Sequence, residues 1–311
     1  MPPPELPLDI QRLNDALANT PGAPGLDSET WAAVPQISRA ARWPLHHLRT
    51  VTSTNTLALE AAQSGVTTGV WIADEQTAGR GRGGHTWHSA PGTSTQPDGL
   101  YLSVLVRPSL PVARALWLSL AAGLAAQHAI ASTTGLTPDL RWPNDLMVPQ
   151  PDGPSRKLGG ILVETASNAS SPTEPATLRY AVIGVGVNLN QSSFPPELEP
   201  LATSLARETG APQSREPLIV ELLTALDHEI AQIEAAAAHN PSAPHHTTPN
   251  LLARFTAAST WVAGKRVRIQ PTDTGPGYTG ITAGLDPQGF LLVAGDDGQI
   301  RTVLSGGVRE P

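Results

Sequence analysis

Between Gly79 and Gly84 the chain reads Gly-Arg-Gly-Arg-Gly-Gly, four glycines and two arginines in six residues. Helix and strand interiors disfavour that density of glycine, which loses more backbone freedom on ordering than any other residue. The segment is therefore a loop, and the fold must present it. Glycines let a backbone approach a ligand and expose consecutive N–H groups, while guanidiniums offer paired donors to phosphate or carboxylate. The combination describes an anion-binding loop able to close over a phosphorylated intermediate; the plainer alternative is a flexible surface hairpin. The same residues formally satisfy G-x-G-x-x-G. That dinucleotide-binding reading requires a helix directly afterwards, and the following His85-Thr-Trp-His-Ser-Ala-Pro-Gly is a poor helix, so it is rejected. No G-x-x-x-x-G-K-[ST] occurs, which excludes a P-loop.

Periodicity places regular elements around this loop. A short helix is expected at Leu8–Ala18. Thr52-Ser-Thr-Asn55 reads as a helix start, with Ser53 or Thr54 as cap and Gly65 as stop. Strands are expected at Val70–Ala73, Leu100–Arg107, Leu140–Trp142, Ile161–Glu164 and Tyr180–Val187. The helix Pro111–Ile130 carries Leu116, Leu120 and Leu124 on one face, and Leu218–Ala238 is a second long helix. Ala166–Thr177 and His239–Asn250 read as linkers. Past residue 263 the pattern changes to short strands at Arg266–Gln270, Tyr278–Ala283, Phe290–Ala294 and Gln299–Leu304, the signature of a small β-barrel. No internal repeat is evident. The expected class is α+β: a partly helical extension over 1–44, a mixed β-sheet packed with helices over 45–262, and a small β-barrel over 263–311.

Length and composition limit the function. A chain of 311 residues suggests about two domains. Its net charge of −7 gives no nucleic-acid footprint. It has no cysteine, which removes disulfides, thiolate nucleophiles and Cys-ligated metals. The start, Met-Pro-Pro-Pro-Glu-Leu-Pro, does not read as a secretory signal. The apolar run Ala113–Ala131 is interrupted by Arg114, Gln127 and His128, and reads as a buried amphipathic helix rather than a membrane span. Of 20 basic residues only Lys157 and Lys265 are lysine. Where arginine has replaced lysine almost throughout, a surviving lysine marks a candidate site for a compact ammonium; the alternative is chance survival.

Two further motifs carry chemistry. Arg141-Trp-Pro-Asn-Asp145 precedes Lys157-Leu-Gly-Gly160 and a strand. Asn144 and Asp145 suit Mg²⁺ or a ribose, or simply an Asx-type turn. Lys157 suits a developing phosphate charge, with Gly159 and Gly160 leaving room for a ligand. Gly184-Val-Gly-Val-Asn188 permits close approach of a nucleotide or of another backbone. Trp87 can stack on an adenine or fill a core edge. The pairs His46-His47 and His245-His246 fall in expected loops, without metal-ligand spacing. No G-x-S-x-G is present.

Taken together, Ser53-Thr-Asn55, Gln76-Thr-Ala-Gly-Arg-Gly-Arg82 with Trp87, Arg141-Trp-Pro-Asn-Asp145, Lys157-Leu-Gly-Gly160 and Gly184-Val-Gly-Val-Asn188 resemble biotin protein ligase, also called biotin–[acetyl-CoA carboxylase] ligase. The resemblance spans residues 45 to 310. It implies a catalytic domain of the biotin/lipoate ligase type followed by an SH3-like barrel. It also implies a two-step reaction. The biotin carboxylate attacks the α-phosphate of ATP, giving biotinyl-5′-AMP and pyrophosphate; a lysine of a carboxyl carrier domain then attacks the mixed anhydride and releases AMP.

Carried over position by position, the resemblance assigns Ser53, Thr54, Asn55, Gln76, Gly79, Arg80, Gly81, Arg82, Lys157 and Gly160 to biotin. It assigns Arg80, Arg82, Trp87, Asn144, Asp145, Lys157 and Asn188 to ATP. Lys157, Arg80 and Arg82 are the implied catalytic cations, and Mg²⁺ accompanies ATP, near Asp145. The implied partner is the biotin carboxyl carrier domain of acetyl-CoA or a related acyl-CoA carboxylase, in the cytoplasm, with the enzyme a monomer or weak homodimer and neither DNA nor membrane involved. The related alternatives are a lipoate–protein ligase and a biotin-sensing repressor. Against the repressor, residues 1–45 are proline-rich, with three Arg against five acids, unlike a helix-turn-helix domain. The inserts Gly92–Asp98 and Pro149–Ser155 have no assigned role.

Overall fold

The computed structural model describes residues 8–20, 39–89, 97–169, 176–239, 251–270 and 277–311. The insert tip at 92–96, residues 170–175 of the linker 166–177, the linker after His239 and His245-His246 lie outside the described residues.

Helix α1 is Ile10–Asn19, and Asp9 caps it by accepting from Arg12 N. The remaining elements follow as β1 (Leu45–Val51), α2 (Thr54–Gln63), β2 (Gly69–Gln76), β3 (Gly99–Val106), α3 (Ala115–Thr134), β4 (Asp139–Arg141), β5 (Asp145–Gln150), β6 (Gly153–Ser167) and β7 (Leu178–Asn188). Then come α4 (Leu205–Thr209), α5 (Arg215–His239), α6 (Leu251–Ala257) and strands β8 (Ala263–Gln270), β9 (Tyr278–Leu285), β10 (Leu291–Gly295), β11 (Ile300–Val303) and β12 (Gly307–Arg309). Among the described residues two sheets form. A seven-stranded sheet has the order β1-β2-β3-β7-β6-β5-β4, with β1 parallel to β2 and the other pairs antiparallel. A five-stranded antiparallel sheet has the order β11-β10-β9-β8-β12. The class is the expected mixed α+β.

β3 is buried along its whole length, because both faces of the large sheet are covered and a doubly covered strand reads as continuous apolar sequence. Leu100, Leu102 and Val104 face the main core with α3 and α5, and Leu105 faces a smaller core under α2. α3 departs from the sequence reading. Leu120 and Leu124 are buried as expected, but so are Trp117, Leu118, Ala121, Ala122, Ala125 and Ala126. The helix is enclosed between the sheet, α5 and α6, so it is apolar on nearly all sides rather than amphipathic. It is long and apolar enough to cross a membrane by composition, and most of it is buried inside the protein.

Three more differences have local causes. His46 and His47 lie in β1, not a loop: His46 stacks on Trp71 at 5.1 Å, and His47 Nε2 is 2.7 Å from Asp74 Oδ1. β1 is an edge strand and its polar sequence hides it from a periodicity search. The 149–155 insert is largely the β5–β6 hairpin, pairing Gln150 with Gly153. Pro149 is tolerated because β4 pairs with β5 only as far as Met147, so its missing N–H interrupts no ladder on that side. β12 was too short to be expected.

The sheet register builds a floor. On one face, Ser103, Gly184 and Leu162 lie side by side across β3, β7 and β6, and Tyr101, Gly186 and Gly160 form the next row. Glycines at i and i+2 of β7 point the same way, so this face is cut back where α2 begins.

Candidate active site

The N-terminus of α2 lies over that floor, with Ser53 as its cap residue. Asn55 rests on Gly184: a β-carbon there would come within 2.1 Å of Asn55 Oδ1. Asn55 Oδ1 is 2.5 Å from Ser103 Oγ, which is 2.8 Å from Thr54 Oγ1. Asn55 Oδ1 can only accept, so the single Ser103 proton goes to it, while Thr54 Oγ1 donates to Gln76 Oε1 at 3.2 Å. Thr54 N donates to Gln76 Oε1 at 2.9 Å, and Gln76 Nε2 donates to Ser89 Oγ at 3.2 Å. Three of the predicted biotin contacts, Thr54, Asn55 and Gln76, thus form one connected polar wall, with Ser53 beside them in the cavity lining.

We expect Gly184→Ala to push Asn55 off this floor. It should lower stability by about 1–3 kcal/mol, as read by thermal melting.

The glycine–arginine loop closes this wall as a hydrogen-bonded hairpin. Trp87 N donates to Gly79 O at 2.9 Å and Gly81 N to His85 O at 2.6 Å. Gly83 and Gly84 take φ of 66° and 78°, which is why glycine is required there. The loop therefore spends these amides on itself and presents its arginines. Arg80 Nη2 lies 2.5 Å from Glu164 Oε2, and Arg82 Nη2 donates to Gly306 O of the small β-domain at 2.7 Å.

Ser53, Thr54, Asn55, Gln76, Arg80, Gly81, Arg82, Trp87, Asn144, Lys157 and Gly160 all line one cavity. Gly79 does not; it is packed behind the loop, where a β-carbon would sit 2.5 Å from Trp87 O. Asp145 and Asn188 line neighbouring cavities instead. The first cavity leaves only about 50 Å³ open. The Trp87 indole lines it, over positions where side chains on Gly186 and Gly160 would meet its ring at 2.8 and 3.4 Å. Its Nε1 is buried without a partner among the described residues.

Trp87 and Lys157 also line a second cavity of about 260 Å³, with Met147, Phe194, Leu198 and Asn188. Its lining is mostly apolar, with Arg141 and Arg309 adding charge. Asn188 is committed there, donating to Thr203 O at 2.9 Å. A third cavity, about 150 Å³, lies between Arg82, Asn144, Asp145, Lys157 and Arg309. Asn144 donates to Ile161 O at 2.9 Å.

Charge is concentrated at this third cavity. Asp145 Oδ2 accepts from Arg141 at 2.6 and 3.1 Å, and Oδ1 lies 2.5 Å from Lys157 Nζ. Burial would raise this carboxyl, but Lys157 and Arg141 outweigh it and hold Asp145 well below its ordinary range. Burial lowers Arg82, with Asp145 opposing the shift, and lowers Arg309, with Arg141 adding to it. Four cations around one carboxylate leave a net positive, partly desolvated pocket, which favours an anion. Both Asp145 oxygens are engaged, and no cluster of three or more His, Asp or Glu able to hold a metal occurs among the described residues. The expectation of Mg²⁺ beside Asp145 thus gains no free carboxylate oxygen in this arrangement.

Two residues at the site carried only a weak sequence signal, their alternation with Leu100 and Leu102 on β3: Tyr101, which lines the first cavity, and Ser103, which is fully buried behind it. Burial pushes the Tyr101 hydroxyl up to about 12, with Ser89 and Gln191 pulling the other way. Arg309, from the last strand, and Phe194 and Leu198, from an irregular segment, reach the site only through the fold.

The chain matches two family models: Biotin/lipoate A/B protein ligase family over residues 48–188, and Biotin protein ligase C terminal domain over 262–308. It is similar to the biotin--[acetyl-CoA-carboxylase] ligase of Mycobacterium tuberculosis, 35% identical over 82% of this chain and 84% of that one. It is also similar to the bifunctional ligase/repressor BirA of Bacillus spizizenii, 31% identical over 80% of this chain and 68% of that one. The biotin protein ligase of Aquifex aeolicus in complex with biotin and ATP superposes with a TM-score of 0.64 at 25% identity, covering 86% of this chain and 99% of that one. With both family models in chain order on the two sheets, and a relative above 30% identity over most of its length, this chain belongs to the biotin protein ligase family.

Proposed function

We infer that the chain is an ATP-dependent biotin–protein ligase, and propose that it acts through a biotinyl-5′-AMP intermediate with a lysine of a biotin carboxyl carrier domain as acceptor. The single observation behind this reading is that three chemically different cavities meet at Lys157 and Trp87. The polar wall of Ser53, Thr54, Asn55 and Gln76 suits a ureido group and a carboxylate tail. The mostly apolar cavity, with Trp87, Met147, Phe194 and Leu198, suits an adenine. The cationic cavity, which shares Trp87 and Lys157 with both, suits phosphates.

The first step must bring a carboxylate against an α-phosphate. Two unit charges 4 Å apart repel by about 4 kcal/mol at an effective dielectric near 20. Lys157 stands where those two anions meet, with Asp145 fixing its ammonium in place. Arg82 and Arg309 face the phosphate side, and Arg80 the carboxylate side. Magnesium enters with ATP as part of the substrate, and we assign it no protein ligand. The closed loop and Trp87 exclude water from the anhydride, which an unprotected active site would hydrolyse. In the second step the acceptor amine displaces AMP, which leaves with its phosphate charge in the same cationic cavity.

We also propose residues 45–262 as the catalytic domain and 263–311 as an accessory domain that helps close it, on the strength of Gly306 and Arg309 at the cavity. We propose the cytoplasm as its place of action, and leave repression of transcription with the Bacillus relative. ATP–pyrophosphate exchange tests the reading. Exchange should require biotin. Exchange that runs without biotin, or with lipoate in its place, overturns the assignment.

A further inference from the structure

Resting on the ligase reading, we propose that Glu164 is a positioning residue for biotin, orienting the Asn55 amide and holding the Arg80 arm of the closed loop. Glu164 follows Gly160 and Leu162 at two-residue intervals on β6, so it shares their face of the sheet. It lies at the end of the cavity floor without lining the cavity. One oxygen, Oε2, takes Arg80 Nη2 at 2.5 Å and Asn55 Nδ2 at 2.9 Å. A carboxylate can only accept. Together with Leu162 O, 3.3 Å from the same nitrogen, it dictates which way the Asn55 amide faces. Nδ2 turns toward β6 and Oδ1 toward Ser103. The orientation then passes through Ser103 and Thr54 to the rest of the polar wall.

Fold stability does not account for this carboxylate. The Glu164 and Arg80 side chains are 27% and 41% exposed, and ion pairs that open contribute little to stability. The pair instead joins two parts of the site 84 residues apart in sequence, one on a strand and one on a loop whose backbone bonds mostly to itself. A glutamine at 164 keeps the shape but loses the charge. It also offers Asn55 either an oxygen or an amino group, so the amide orientation is no longer imposed.

The test is steady-state pyrophosphate exchange with Glu164→Gln, Arg80→Ala and the double variant, alongside thermal melting. We expect Glu164→Gln to raise KM for biotin about 10- to 100-fold, the range set by loss of a charge-assisted hydrogen bond, with KM for ATP changed less than about twofold. The melting temperature should stay near that of the parent. The double variant should be less impaired than the product of the two single effects, because both remove one contact. An unchanged KM for biotin, or equal rises for biotin and ATP accompanied by a lower melting temperature, overturns the positioning role. Multiplicative effects in the double variant overturn the Arg80 half of it. Biotin-independent exchange in the parent protein overturns the ligase reading and this role with it.

Discussion

Replacing Lys157 with alanine should lower biotin-dependent pyrophosphate exchange about 10²–10³-fold, the usual cost of removing one preorganised charge from a transition state. The fold should survive. Asp145 keeps both Arg141 contacts in that variant, and the Lys157 side chain is about one-third exposed, so solvent screening limits the stability loss to about 1 kcal/mol. Arginine should not restore activity. A β-carbon on Gly160 would already come within 3.2 Å of Lys157 Cε and Nζ, which shows how closely the ammonium lies on the sheet; a planar guanidinium is larger and differently directed. Single-turnover formation of the acyl-adenylate, beside a melting curve, separates lost chemistry from lost fold. Near-parental adenylate formation by Lys157→Ala removes this lysine from the reaction.

Replacing Asp145 with alanine should act through the fold as well as the site. It strands Arg141, whose side chain is 10% exposed, among Arg82, Lys157 and Arg309 with no anion between them. Leaving a buried charge unpaired costs about 3–5 kcal/mol, or about 6–20 °C in melting temperature for domains of this size. The same pairing sets a pH dependence. The folded carboxyl lies below its ordinary 3.8, so the ionised form is favoured by folding. Its stabilisation is fully present above pH ~4 and drains as the pH falls through the lowered folded value. The parent protein should therefore lose stability in acid more steeply than Asp145→Ala. Parallel acid limbs in the two melting profiles, or an unchanged melting temperature at pH 7, contradict this account.

The surviving lysines show how far a compositional argument reaches. Lys157 does stand at the junction of the three cavities. Lys265 survives for another reason: it lies over the Trp261 ring at 3.9 Å and pairs with Glu310 at 3.0 Å, tying β8 to the end of the chain. Survival flagged two lysines whose packing is specific, and only geometry separates the one at the cavities from the one at the chain end.

Local sequence determined the glycine–arginine loop and the apolar runs of the buried strands, because each depends on backbone freedom or side-chain character within a few residues. α2 starts at the expected place, but its Ser53 side chain makes no cap bond, and Gln76, 22 residues past Thr54, takes the Thr54 N–H instead. Local sequence also carried the five motifs through which the family could be recognised. The tertiary structure decided what those motifs do to one another. Strand register set Gly184 beneath Asn55 and Gly186 beneath Trp87; antiparallel pairing brought Glu164 to Arg80; packing of the small β-domain carried Arg309 and Gly306 to the loop. Such contacts join residues 80 to 230 positions apart, and no local pattern encodes a distance of that kind. The charges were written in the chain, but their convergence on one carboxylate came only from the way the sheets assemble.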